Sequence, residues 1–301
     1  MELNLNTGFF DIVANQQSVF AASDFYIPFE IGHIQSDKNT QIRDFKSKLR
    51  TAIEMMRPQN SEILFAQYDE DGEKNRFFDL ENMLFYNLGS SAFANCASHG
   101  ISFSALPDKA ALCQQNGIKN RKCVYCYQCL PLSAAESNFA DLPLMAAWND
   151  VPLDRHEANS PAKYWKAIRN TRDRVTVFDY AESPISNYFA LKIELYLPIQ
   201  VKLANTIKPL LDGVICAFHG ESARSLACLT DFCTRQHCEE LSIPNKFPFV
   251  LGEREFIRPY RNGQSFLWNP ADDLCKLALV TVSYGAEMPS FSGKIYELQK
   301  F

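Results

Sequence analysis

The chain has 301 residues, 47% of them hydrophobic and 22% charged, with a formal net charge of −5. That composition excludes a disordered chain, and no apolar run approaches the roughly 18 residues that span a bilayer, so no membrane partner is expected. The acidic balance argues against a duplex-DNA binder held only by salt-sensitive phosphate contacts. The N-terminal stretch MELNLNTGFFDIVANQQ has no basic segment followed by an apolar one, so the expected location is cytoplasmic. Ten cysteines in such a chain read as reduced thiols or metal ligands rather than as a disulfide framework.

Taken in chain order, Ile42, Phe45, Leu49, Ile53 and Met56 recur at helical spacing and predict a helix over 40–57, stopped by Pro58. EILFAQY, residues 62–68, predicts a strand that ends in the polar turn at 69–72. DLENMLFYNL, residues 79–88, resumes helical character and stops at Gly89, and residues 101–106 alternate as a strand. From 108 to 160 the periodicity fades and three closely spaced cysteines appear. A second series follows: a helix over 162–169, an alternating strand over 191–197, a helix over 205–219 and a strand over 274–282. Pro209 is tolerated only near a first turn, which sets the expected helix start close to Asn205. The repeated order of elements predicts an α+β fold of two similar α/β units, an internal duplication, with a cysteine-bearing insert between them. The expected boundaries are 1–107, 108–160 and 161–301.

On the helix of the second half, Asn205, Lys208, Asp212 and His219 fall within an arc of roughly 60° at ~100° per residue, away from the main apolar stripe. A polar stripe of this kind ordinarily faces solvent. Its context is a strand, a short turn, the run N-x-x-K-x-x-x-D-G, and later Trp268-Asn269-Pro270-Ala271-Asp272-Asp273 leading into a strand. This arrangement resembles the RusA family of Holliday-junction resolvases over about residues 190–285. The resemblance implies a D-x-D-N-x-x-K-x-x-x-D helix and an Asp-Asp pair that together hold magnesium. The metal activates water there, while the lysine neutralises phosphate charge. The matching residues are Asn205, Lys208, Asp212, Asp272 and Asp273, but Lys202 and Ala204 stand at the two leading acidic positions. The first half holds the complementary remnant: Asp79-Leu80-Glu81-Asn82 supplies the acids, and Phe85 replaces the lysine. Asp79 also reads as a helix cap and Glu81 as surface charge.

Cys123, Cys126 and Cys129 stand at C-x2-C-x2-C spacing, which can converge on a soft cation, with Cys113 as a fourth ligand for zinc. Cys96 and His99 are the other candidates for that place. Lys119, Arg121 and Lys122 alongside would lower the thiol pKa values. An iron–sulfur cluster and no metal at all are the competing readings. Arg254, Arg258 and Arg261 with Tyr260 form a basic-aromatic stretch able to meet phosphate or a stacked base, and equally a polar loop. P-loop, Rossmann, nucleophile-elbow and H-E-x-x-H motifs are all missing from the sequence. With each half carrying only part of an acidic site, the leading expectation is a non-catalytic RusA-like subunit of a larger assembly. It would bind a protein partner and structured nucleic acid. The alternatives are a magnesium-dependent endonuclease acting on branched DNA through Lys208, Asp212, Asp272 and Asp273 with help from Asp79 and Glu81, and a small zinc or iron–sulfur protein.

Overall fold

The two periodicities, 2 along the strands and 3.6 along the helices, produce a mixed α+β fold. The computed structural model describes residues 2–25, 27, 37–70, 79–178, 188–235, 250–260 and 265–298. The chain opens with β1 (Leu3–Asn6), β2 (Phe10–Ala14) and β3 (Ser18–Ser23), none of which the sequence pattern signals. Then come α1 (Asp37–Glu54), β4 (Glu62–Glu70), a π-helical turn at Asn82–Tyr86, a 3-10 turn at Ser90–Phe93, and β5 (Gly100–Ala105). Residues expected to form an insert supply α2 (Lys109–Gln115), β6 (Cys123–Pro131), α3 (Leu132–Glu136) and β7 (Leu144–Pro152). The second half adds α4 (Pro161–Asn170), β8 (Val175–Val177), β9 (Tyr188–Leu197) and α5 (Leu203–Ala217). It continues with β10 (Gly220–Glu221), α6 (Ala223–Arg235), β11 (Glu253–Arg254), the hairpin β12 (Ile257–Tyr260) and β13 (Ser265–Trp268), β14 (Cys275–Tyr284) and β15 (Ser290–Leu298).

Among the described residues, eleven strands form one sheet in the order β1-β2-β3-β6-β4-β5-β14-β9-β15-β7-β8. Its centre is the antiparallel pair β5–β14. Outward from that pair the relations repeat on both sides. β5 runs parallel to β4, and β14 parallel to β9. Next, β6 and β15 are antiparallel to β4 and β9, and then β3 and β7 are antiparallel to β6 and β15. β6 and β7 are therefore interior strands of the sheet, not parts of an appended module.

Strand alternation divides the core. Ala278 and Val280 of β14 face the main cluster with Leu210, Val214 and Ile215 of α5, whereas Leu277 and Leu279 face a second cluster with Phe139. Each fully buried aliphatic side chain of this kind contributes about 1.5–3 kcal/mol. The main cluster covers the sheet face on which α5 lies against the π-helical turn and Ser90–Phe93.

α5 begins at Leu203, earlier than the position of Pro209 suggests, so the proline lies inside the helix. A proline there cannot donate to the carbonyl four residues back, that of Asn205. Asn159 Nδ2 donates to that carbonyl instead, at 3.1 Å. α5 also needs Gly213, because a Cβ there would lie 2.3 Å from the Pro161 carbonyl oxygen and 2.8 Å from Tyr164 Cβ. Gly213→Ala must therefore push α5 off α4. The expected cost is about 1–3 kcal/mol or more, read as a lower urea midpoint at unchanged slope.

Candidate functional site

Asp79 and Glu81 stand at the entrance of the helical segment that follows β4, and the π turn Asn82–Tyr86 widens the winding directly after them. A π turn inside a helix is a common mark of a functional position. Gly89, at φ 82°, ends this segment as the sequence predicts. On the same sheet face, α5 presents Lys208 and Asp212 one turn apart, and the 3-10 turn Asp272–Leu274 precedes β14.

These elements meet at Lys208. Its Nζ donates to Glu81 Oε1 at 3.0 Å, to Asp212 Oδ1 at 3.3 Å and to Asp272 Oδ2 at 3.3 Å. Asp79 Oδ2 lies 3.8 Å from the same nitrogen. The polar stripe of α5 thus faces inward at Lys208 and Asp212, and Glu81 is buried rather than a surface charge. Asp79 does stand at the cap position, its carbonyl accepting from the Asn82 and Met83 amides at 3.1 and 3.2 Å, while its side chain turns to the cluster. Among the described residues, the group of three acidic side chains whose oxygens all lie within 4.8 Å of one another is Asp79, Glu81 and Asp272.

One ammonium serves four carboxylates, and the shortage appears as proton affinity. Burial, reinforced by Glu81 and Asp272, pushes the Asp79 carboxyl up to about 8. Burial also raises Glu81 to about 7 and Asp212 to about 7, in each case against the pull of Lys208. Burial opposes the charge of Lys208, but the four surrounding carboxylates hold its ammonium well above the ordinary range. Near neutral pH the cluster therefore carries protons as well as the Lys208 charge. Its donors are all hard carboxylate oxygens, the set that suits a magnesium-like divalent cation and does not suit a thiophilic one.

A cavity of about 580 Å³ opens beside the cluster, lined by Asp79, Asn82, Lys208, Arg254, Trp268 and Asp273 among others. Asp273 does not join the Lys208 cluster. It pairs with Arg254 at 3.5 Å on the cavity wall. Asn82 and Trp268 belong to motifs visible in the sequence, although nothing there assigns them to a cavity wall. Of the other predicted residues, Asn205 is exposed at the start of α5, and Arg258 is exposed on β12. Arg261 lies outside the described residues. His219 is buried, with Nδ1 3.1 Å from the Gly252 carbonyl oxygen, and takes no part in the cluster.

The cysteines do not converge. A strand sends alternate residues to opposite faces, so Cys123 and Cys129 of β6 enter the main core, while Cys126 joins Cys113 in a separate cluster on the other face. Burial pushes the Cys126 and Cys129 thiols up to about 12, opposite to the lowering expected from neighbouring cations. Arg121 is engaged elsewhere, with Asp11 at 2.9 Å and Asp24 at 2.6 Å.

No family model, curated protein or solved structure matches the chain. Among the described residues no helix is long and apolar enough to cross a membrane.

Proposed function

We propose that this chain is a RusA-like endonuclease, dependent on a divalent cation and acting on branched DNA through one composite site. The observation that carries the reading is the convergence of Asp79 and Glu81 from the first half with Lys208, Asp212 and Asp272 from the second. Each half lacks what the other provides, and the fold brings the two sets within ion-pair distance. The repetition of strand order and direction about β5–β14 supports an internal duplication, in which two related α/β units share one sheet.

Asp79, Glu81 and Asp272 are the residues that would hold the cation. When bound, it would polarise a phosphoryl oxygen and lower the pKa of attacking water. Lys208 orders three carboxylates through its donated hydrogen bonds and offers its charge to a non-bridging phosphate oxygen. Arg254 offers a second cation at the cavity wall, and Trp268 gives an apolar surface for sugar or base. Asp212, whose carboxyl takes up a proton near neutral pH, is suited to accept one from water during attack on phosphorus.

The non-catalytic reading has one observation in its favour. The Lys208 ammonium already hydrogen-bonds three carboxylates, so the cluster is partly neutralised without a metal. An end-labelled four-way junction incubated with the protein, in Mg²⁺ or in EDTA, separates the two. Mg²⁺-dependent nicks near the branch point are the expected result. A band shift on a native gel without cleavage would replace the nuclease by a junction-binding subunit.

A further inference from the structure

We infer that the DNA arm next to the cut lies over Tyr86, along the trough between α1 and the helical segment that carries Asp79 and Glu81, with Arg43, Lys46 and Arg50 of α1 on its phosphates. The inference rests on the nuclease reading above. α1 lies outside the residues that carry the RusA resemblance, so the resemblance gives it no role.

The trough follows from what stays open to water. Along the segment, residues 83–85, 87 and 88 are buried, whereas Asn82, Tyr86 and Gly89 are not. Asn82 lines the cavity beside the acidic cluster, and Tyr86, four residues on, is 52% exposed. A ring this open, on a segment otherwise in the core, offers a face to a sugar or an unpaired base. α1 adds the charge. Arg43, Lys46 and Arg50 fall within an arc of about 60° at ~100° per residue and span about 10 Å of helix. Arg43 is exposed, and Lys46 and Arg50 are half-buried. Asp44, the acid within this span, projects about 100° away from Arg43 and pairs with Lys48 at 2.9 Å.

Contacts fix this row against the segment. Arg50 Nη2 donates to Ser91 Oγ at 3.0 Å, and its Nη1 would lie 3.8 Å from a Cβ at Gly89. The two elements also run the same way. Phe45 of α1 packs on Phe25, just past β3, and β3 and β4 both finish opposite Cys123. That is the sheet end where β14 begins and the acidic cluster lies. At the opposite end the Arg57 amide donates to the Gln16 carbonyl at 2.8 Å. Arg43 therefore stands toward the cluster, and Arg50 beside Gly89, about 12 Å of helix from Glu81. At roughly 3.4 Å per nucleotide that distance covers about three or four nucleotides of one strand. A strand with its scissile phosphate at the cluster then carries its next phosphates along α1.

Junction binding in EDTA, titrated from about 50 to 200 mM NaCl, tests the inference. Each lost phosphate contact lowers the slope of log K against log salt by about 0.9, so Arg43→Gln with Lys46→Gln is expected to remove about 2 from it. The charge-keeping pair Arg43→Lys with Lys46→Arg retains the wild-type slope, which separates lost charge from lost folding. Tyr86→Ala is expected to weaken binding about tenfold at unchanged slope. Single neutral methylphosphonate linkages about two to four nucleotides from the mapped nick lower the wild-type slope and leave that of the double variant unchanged. A wild-type slope in the double variant, wild-type affinity in Tyr86→Ala, or sensitive linkages only elsewhere overturns the inference, and Mg²⁺-dependent nicking by the same preparations keeps the nuclease reading. If wild-type protein gives no nick in Mg²⁺ where a control resolvase does, the nuclease reading is overturned, and the inference, which places the arm relative to a cut, falls with it.

Discussion

Asp79→Asn is expected to lower junction cleavage by about 10²–10³-fold, while leaving the metal-free melting temperature at pH 8 unchanged or raised. The rate effect follows because a metal site supplies several kcal/mol of transition-state stabilisation, and each 1.36 kcal/mol is tenfold. The stability effect follows from crowding. The Asp79 carboxyl is raised to about 8 by burial and by Glu81 and Asp272, so at that pH the fold holds a charge it resists. Asparagine resembles the protonated acid, keeps an oxygen for the Asn82 amide that hydrogen-bonds Asp79, and removes the repulsion. Lys208→Gln should act in the opposite sense and cost about 3 kcal/mol or more without metal, because four carboxylates then share a half-buried space with no cation. Thermal melts at pH 8 with and without Mg²⁺, beside cleavage rates, read both. A cluster that serves only as an internal ion-pair hub would give the same metal-free melts, gain little stability from Mg²⁺ and show no Mg²⁺-dependent cleavage for Asp79→Asn to lower.

The residues of this centre were legible in the sequence, but their meeting was not. N-x-x-K-x-x-x-D on an amphipathic helix and D-x-E-N before another are local patterns. Their union is tertiary, joining Glu81 to Lys208 across 127 positions, and depends on α5 lying against the π turn over one face of the sheet. The inward turn of the polar stripe was hidden for the same reason, since periodicity marks a face without saying what covers it. The cysteine run shows a different failure. C-x2-C-x2-C suggests convergence in a loop, but CVYCYQC is an interior strand buried on both faces, where the apolar signal of period 2 vanishes and spacing of three separates the thiols. β1 to β3 escaped because short strands carry too few residues for their alternation to stand out.

The pH dependence of stability is expected to change character when a divalent cation is supplied. Asp79, Glu81 and Asp212 have folded-state values of about 8, 7 and 7, against roughly 4 for unfolded carboxyls. A raised carboxyl binds its proton more tightly in the fold. Its stabilisation is complete below about pH 4 and is lost as the pH rises through 7 and 8. His219 has the opposite sense: burial lowers it to about 4, so it favours the fold above its unfolded value of about 6.5 and loses that contribution as the pH falls toward 4. The two effects oppose each other between pH 4 and 6.5, and only the carboxyls act between 6.5 and 8.5. In EDTA the melting temperature should therefore fall by several degrees across that upper window. In millimolar Mg²⁺ the fall should flatten or reverse, because the cation takes the place of the protons and its affinity rises as they leave. Calorimetric titration with Mg²⁺ in two buffers of different ionisation enthalpy should register protons released on binding near pH 7, and fewer near pH 9. Equal slopes with and without Mg²⁺, together with no proton release, would remove the cation from the cluster and leave Lys208 as its sole counter-charge.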